Sequence, residues 1–243
     1  MDMTISGSGQ IAAGEYDRVK TSGSGRLDGF VRCSSFHSSG SVSGEEIECK
    51  NEFVTSGSSR FSKAVRAESL TTSGSFACGG DIIVKKGMNC SGGMEGNGSV
   101  KCGTFTASGG LSVKGDIEAE TVKIDGRVKC GGLLNAEEIT IKFKHDSKIK
   151  NIGGSKIVVY GHSQLEKRVR LPLLSSLMKK GGGDSLCVEE SIEGDSVALE
   201  GVTAQRVSGR VVAIGDGCEI ELVQYSETLE VSPDAKVSRT EKV

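Results

Sequence analysis

Eight cysteines and three histidines are the residues of this chain best suited to metal, redox or nucleophilic chemistry. Zinc sites recruit such residues at short, paired spacings. No two cysteines here are separated by two residues, and no cysteine–histidine grouping has zinc-like spacing. Cys33, Cys49 and Cys102 instead recur at one position of a repeat that elsewhere holds Ala67, Ala119 and Ala136. A column shared by cysteine and alanine predicts small, inert core residues. His37, His145 and His162 lie far apart and predict surface or corner positions. Serine is abundant, but it stands beside glycine, where turn chemistry accounts for it. The run Gly181–Gly182–Gly183 lacks the strand, lysine and hydroxyl context of a phosphate loop. The expectation is therefore no catalytic residue, no metal, no cofactor and no enzyme activity.

The elements that carry these residues are set by the repeat. Ser-Gly, once Asp-Gly, recurs with its glycine at Gly23, Gly40, Gly57, Gly74, Gly92, Gly109 and Gly126. Successive glycines differ in number by 17, 17, 17, 18, 17 and 17, with one shorter unit from Gly7. An apolar column runs in phase: Phe36, Phe53, Leu70, Met88, Phe105, Val122 and Ile139. A second lies five or six residues upstream: Val31, Ile47, Val65, Ile83, Val100, Ile117 and Leu134. Inside a unit the apolar residues come in i, i+2 pairs, such as Val122/Ile124 and Val128/Cys130, which is the strand period. A unit this short, with a Ser-Gly in every copy, cannot hold two helices, and leucine-rich repeats need longer units with another signature. The predicted fold is all-β, a parallel β-helix solenoid with about 17-residue triangular coils. Composition agrees. A narrow core excludes tryptophan, a strand ladder tolerates only Pro172 and Pro233, and the 35 glycines are expected at corners with positive φ.

Three segments are predicted. Residues 5–162 form N-terminal β-helix repeats, 163–185 a basic amphipathic insertion with a short helix, and 186–238 further β-helix coils continuing or flanking the first solenoid. The helix is expected from Pro172 to Lys180, with proline at its first position and glycine beyond its end. The insertion offers Lys167, Arg168, Arg170, Leu173, Leu174, Leu177, Lys179 and Lys180 to a membrane or protein partner, or packs its apolar side on the solenoid.

Thirty basic against 32 acidic residues give no global attraction to nucleic acid. No run is long and apolar enough for a spanning helix, and the first residues do not read as a secretory signal. A cytoplasmic location with reduced thiols is expected, with membrane association resting on the insertion. The strand pattern starts near Ile5 and runs to about Val237 without a charged cap, and uncapped solenoid ends dock with further copies. Ile5 and Ile11 at one end, and Leu229, Val231 and Val237 at the other, are the expected polymer contacts.

The run IKFKHDSKIKNIGGSKIVVYGH, followed by SLCVEESIEGDSVALEGVTAQRVSGRVVAIGDGCEIELVQYSETLEVSPDAKV, resembles the bactofilins, polymer-forming cytoskeletal proteins, of the longer type found in Bacillus-like bacteria. The repeats from Ile5 to Ile141 also fit that family. The resemblance implies a right-handed β-helix that polymerises without nucleotide into filaments serving cell-shape, cell-wall or motility machinery. The partners it implies are further copies, another bactofilin, or a membrane-bound morphogenetic or motility protein. Many members add proline-rich tails and an apolar N-terminal membrane peptide. Here Met1-Asp2-Met3-Thr4 is too short and polar for that role, which leaves membrane attachment to the insertion or to a partner. The alternative is a β-helix enzyme of the acyltransferase or carbonic-anhydrase type. Those coils repeat glycine three times per turn and place histidine at subunit contacts, whereas here glycine comes once per coil and only His37 lies in the regular repeats. Pectin-lyase-like coils are longer, and an adhesin solenoid is opposed by the free thiols.

Overall fold

Apolar residues two positions apart put both side chains on one face of an extended chain. Repeated once per coil, they bury that face against the next copy of the pattern and against the inward residues of the other sides of the coil. The computed structural model describes residues 1–161 and 185–243, and all regular structure among them is strand. The strands pair in parallel between successive coils: Ser24 with Ser41, Ser41 with Ser58, and Ser58 with Ser75. The fold is a parallel β-solenoid.

The chain divides into two compact units. The first holds Met1–Thr121 with Cys130–Gly132, and the second holds Val122–Lys129 with Leu133–Val243. The division thus passes through the strand Ile117–Phe143. The expected insertion at 163–185 lies almost wholly outside the described residues.

In the first unit, like residues stack in columns. Phe36, Phe53, Leu70, Met88 and Phe105 follow one another in register and are fully buried. Phe36 and Phe53 stack with ring centres 5.0 Å apart, and Phe61 and Phe76 meet Phe53 edge-on at 5.6 and 6.0 Å. Such pairs add to the burial of apolar area. The upstream column is Val31, Ile47, Val65, Ile82, Val100 and Ile117. Its fifth-coil member is Ile82 where the sequence pattern pointed to Ile83. The longer unit there carries one extra residue between this column and Met88, so Ile83 turns outward and is 38% exposed.

A hydroxyl column runs inside as well. Thr21, Ser38, Thr55 and Thr72 are all buried and in register. Thr21 Oγ1 donates to Ser38 Oγ at 2.8 Å, while the Thr55 and Thr72 hydroxyls find no partner among the described residues.

The corner glycines correct the expectation about φ. Of the glycines in the repeated column of this unit, only Gly109 has a positive φ, 117°. Glycine is required there by proximity. A Cβ added at Gly40, Gly57, Gly74 or Gly92 would overlap the carbonyl oxygen of the corner glycine one coil earlier. Those carbonyls accept hydrogen bonds across the corner: Ser41 N–H donates to Gly23 O at 2.9 Å, and Ser58 N–H to Gly40 O at 3.2 Å. The ladder continues around the corner, and the backbone comes too close for a side chain.

The second unit holds the strands Ser147–Gly161, Leu186–Leu199, Val202–Ile214 and Glu219–Val231, then the shorter Lys236–Lys242. Ile152, Ile192, Val207 and Val223 stack in register at its core. Thr240 takes the next place in that column.

Candidate interaction surface

Seven of the eight cysteines are buried. Burial pushes the Cys90 and Cys102 thiols up to about 12, and Cys130 to about 11, which keeps them protonated. The Cys33 and Cys49 sulfurs lie 3.4 Å apart inside the stack, and the Cys49 thiol is raised by that hydrogen bond and by burial. Cys187 departs from the expectation of uniformly buried thiols. It is exposed, because it occupies an outward position in register between Lys148 and Thr203. Among the described residues no group of three or more His, Cys, Asp and Glu side chains is placed to hold a metal. His37 pairs with Glu52 at 3.1 Å on the surface, and His145 is an exposed turn residue with φ of 57°. His162 lies outside the described residues.

The residues expected at the ends fall into two classes. Ile11 is fully buried and Ile5 is 9% exposed, so neither offers much surface. Ile5 covers Gly9, where an added Cβ would meet its side chain at 3.1 Å. At the other end the core columns open. Val212 and Ile214 are buried, but the next members, Leu229 and Val231, are half-buried and 42% exposed. Val237 is half-buried opposite Ile220. Lys167, Arg168, Arg170, Leu173, Leu174, Leu177, Lys179 and Lys180 all lie outside the described residues. Among the described residues no helix is long and apolar enough to cross a membrane.

The faces carry a feature absent from the sequence reading. One outward column of the first unit reads Glu15, Arg32, Glu48, Arg66, Ile83, Lys101, Glu118 in register. Charges alternate along it. Arg32 bonds Glu15 at 3.0 Å and Glu48 at 3.2 Å, and Lys101 bonds Glu118 at 2.7 Å. Opposite charges directly across a parallel pair support one register and penalise a slip. Acid and base placed one repeat apart would have revealed the ladder in the sequence. The faces hold shallow grooves: about 220 Å³ beside Arg66 and Ile83, about 470 Å³ between Arg60 and Glu95, and about 430 Å³ beside Cys187 and Glu221.

Comparison with known proteins adds two relatives. The chain is similar to two proteins of Bacillus subtilis (strain 168), "Uncharacterized protein YhbF" and "Uncharacterized protein YhbE". Each is 34% identical over 113 residues, covering 46% of this chain and 42% and 44% of the respective relatives. The chain thus spans less than half the length of the curated relatives it matches. No family model and no solved structure matches it.

Proposed function

We propose that this protein is a self-assembling bacterial scaffold whose solenoid subunits stack end to end into filaments without nucleotide. In this reading it is a cytoplasmic bactofilin-like cytoskeletal element that organises cell-shape, cell-wall or motility machinery. Its first partner is a further copy of itself.

The observation that carries the reading is the last coil. The strand Lys236–Lys242 pairs in parallel with Glu219–Val231 only as far as Tyr225, so among the described residues Thr228–Val231 pair on one side, with Val211–Ile214. Along that open edge, columns buried in earlier coils surface at Leu229 and Val231. Unpaired N–H and C=O groups next to apolar side chains form a template for another strand of the same kind.

Negative-stain electron microscopy of the purified, nucleotide-free protein at low and moderate salt tests this. Filaments a few nanometres wide are expected. A uniform population of small monomers or trimers under all conditions would sink the reading. Val231→Arg should abolish or shorten the filaments while leaving the strand content by circular dichroism unchanged, because docking would bury an unpaired charge. Filaments that persist in this variant would move the contact away from Val231.

A further inference from the structure

The alternating charge column of the first unit is interrupted once, at Ile83. Alternation on both sides of that coil calls for an acid there, since Arg66 and Lys101 flank it in register. The extra residue in that coil turns an isoleucine outward instead, 38% exposed. The interruption leaves a specific electrostatic gap. Arg32, an inner rung, holds a carboxylate on each side, Glu15 and Glu48. Among the described residues, Arg66 has only Glu46, and Lys101 has only Glu118. Their flanks toward Ile83 are bare. Two residues beyond Ile83, Lys85 is exposed; its charge helps to hold the Glu68 carboxyl down, but it makes no salt bridge within 4 Å among the described residues. The acids nearby are already engaged, Glu48 by Arg32 at 3.2 Å and Glu68 by Lys86 at 2.7 Å. A shallow groove of about 220 Å³ runs past Arg66, Ala67, Ile83, Lys85 and Lys50, with the engaged carboxylates of Glu48 and Glu68 also on its lining and Lys101 outside it. Neighbouring coils are about 4.8 Å apart, so Arg66 and Lys101 stand roughly 10 Å apart across an apolar centre.

We propose that this gap is a docking site for an extended acidic segment of a partner protein, one that places carboxylates on either side of an apolar side chain. The partner would supply the acid the column lacks. Its carboxylates would sit against Arg66, Lys101 and Lys85, and its apolar side chain against Ile83. The surface is a strand face and not a coil end, so the proposal does not depend on end-to-end assembly. Charge complementarity of this kind sets specificity and salt dependence more than raw affinity.

Fluorescence anisotropy with the full chain tests it. The probe is a fluorescein-labelled peptide, Gly-Ser-Glu-Ser-Val-Ser-Glu-Ser-Gly, and the control has both Glu replaced by Gln. The Glu peptide should bind at least about tenfold tighter than the control at low ionic strength, and the advantage should shrink as salt is added. Ile83→Glu completes the alternation within the chain. It should cut binding of the Glu peptide at least about tenfold while leaving the melting temperature equal or higher, which separates lost binding from lost fold. Lys85→Gln, confined to an exposed ammonium, should weaken binding severalfold. Equal binding of the Glu and Gln peptides, unchanged binding in Ile83→Glu, or no binding of either peptide to the native chain would each overturn the proposal.

Discussion

Gly40 in the first unit and Gly217 in the second both sit at corners, and the reason for glycine differs between them. At Gly40 the φ is not positive, but a Cβ would overlap the Gly23 carbonyl oxygen that bonds Ser41 N–H. At Gly217 the φ is 70°, and a Cβ would meet only the Gly201 Cα at 3.7 Å. The first corner is limited by space and the second by conformation. The first unit keeps its hydrogen-bond ladder running through the corner, so its corner backbones stack closely. The second turns its chain at Gly201 and at Gly215-Asp216-Gly217, where Gly201 N–H donates to Asp216 O at 2.9 Å. One architecture therefore uses the same residue for two physical purposes, and a shared composition conceals the difference.

The largest expected effect breaks this comparison at the space-limited corner. Gly40→Ala should destabilise the protein by about 3 kcal/mol or more, the upper end of overpacking costs, because backbone and not a flexible side chain is in the way. Gly217→Ala should cost about 1–2 kcal/mol, and Gly217→Asn less, since asparagine tolerates left-handed backbone. Gly7→Ala, in the column of Gly23 but with nothing within 4 Å of the added carbon, should be close to neutral. Urea melts of the four variants measure the order. Equal effects at Gly40 and Gly217 would contradict the distinction.

A second contrast lies in the cores. Phe53 touches three other rings and is fully buried, whereas Val231 is 42% exposed. Phe53→Ala should cost about 3–5 kcal/mol. Val231→Ala should stay within about 0.5 kcal/mol in the unassembled protein. Thermal melts at low protein concentration measure both, and a large effect of Val231→Ala there would mean that the end coil contributes to the fold of the single chain.

The smallest expected effect concerns acid. Lys63 holds the Glu45 carboxyl below its ordinary 4.5, and Lys86 does the same for Glu68. In the second unit, Lys144 and Lys142 hold Asp125 below 3.8 against an opposing effect of burial. A folded pKa below the unfolded one means the unfolded chain takes up the proton first. The stability so contributed is complete above the ordinary values and is lost as pH falls through the lowered ones. Melting temperatures should therefore be flat from about pH 7 to 5 and decline below about pH 4. Because these pairs are solvated, the decline should be shallow and should weaken further in high salt. Replacing Glu45 and Glu68 by Gln should flatten it, and a decline unchanged by those replacements would assign it to other groups.

Much of the fold is readable because a solenoid writes its tertiary contacts into its period. Phe36, Phe53 and Phe105 fall at the same place in each unit, and the residue one period away is the neighbour above. The readings that missed depend on orientation. Ile83 fits the inward column by count because the step there is longer by one, and nothing in a run of apolar residues says on which side of a corner the extra residue falls. The column Thr21, Ser38, Thr55, Thr72 is invisible to a search for apolar columns, although it lies as deep as they do. The charge column escapes a search for short motifs because its partners are adjacent in space and a whole coil apart in the chain.

The period, the strand pattern and the small-residue column follow from the amino-acid sequence alone, because adjacent coils present like residues to one another. Three matters were decided only by the tertiary structure. They are the proximity that makes the Ser-Gly corners glycine, the outward turn of Ile83 that interrupts the charge column, and the exposure of Leu229 and Val231 beside an open strand edge. Each depends on distances between coils and on which side of the strand a side chain leaves. Those distances arise only when one coil is laid on the next.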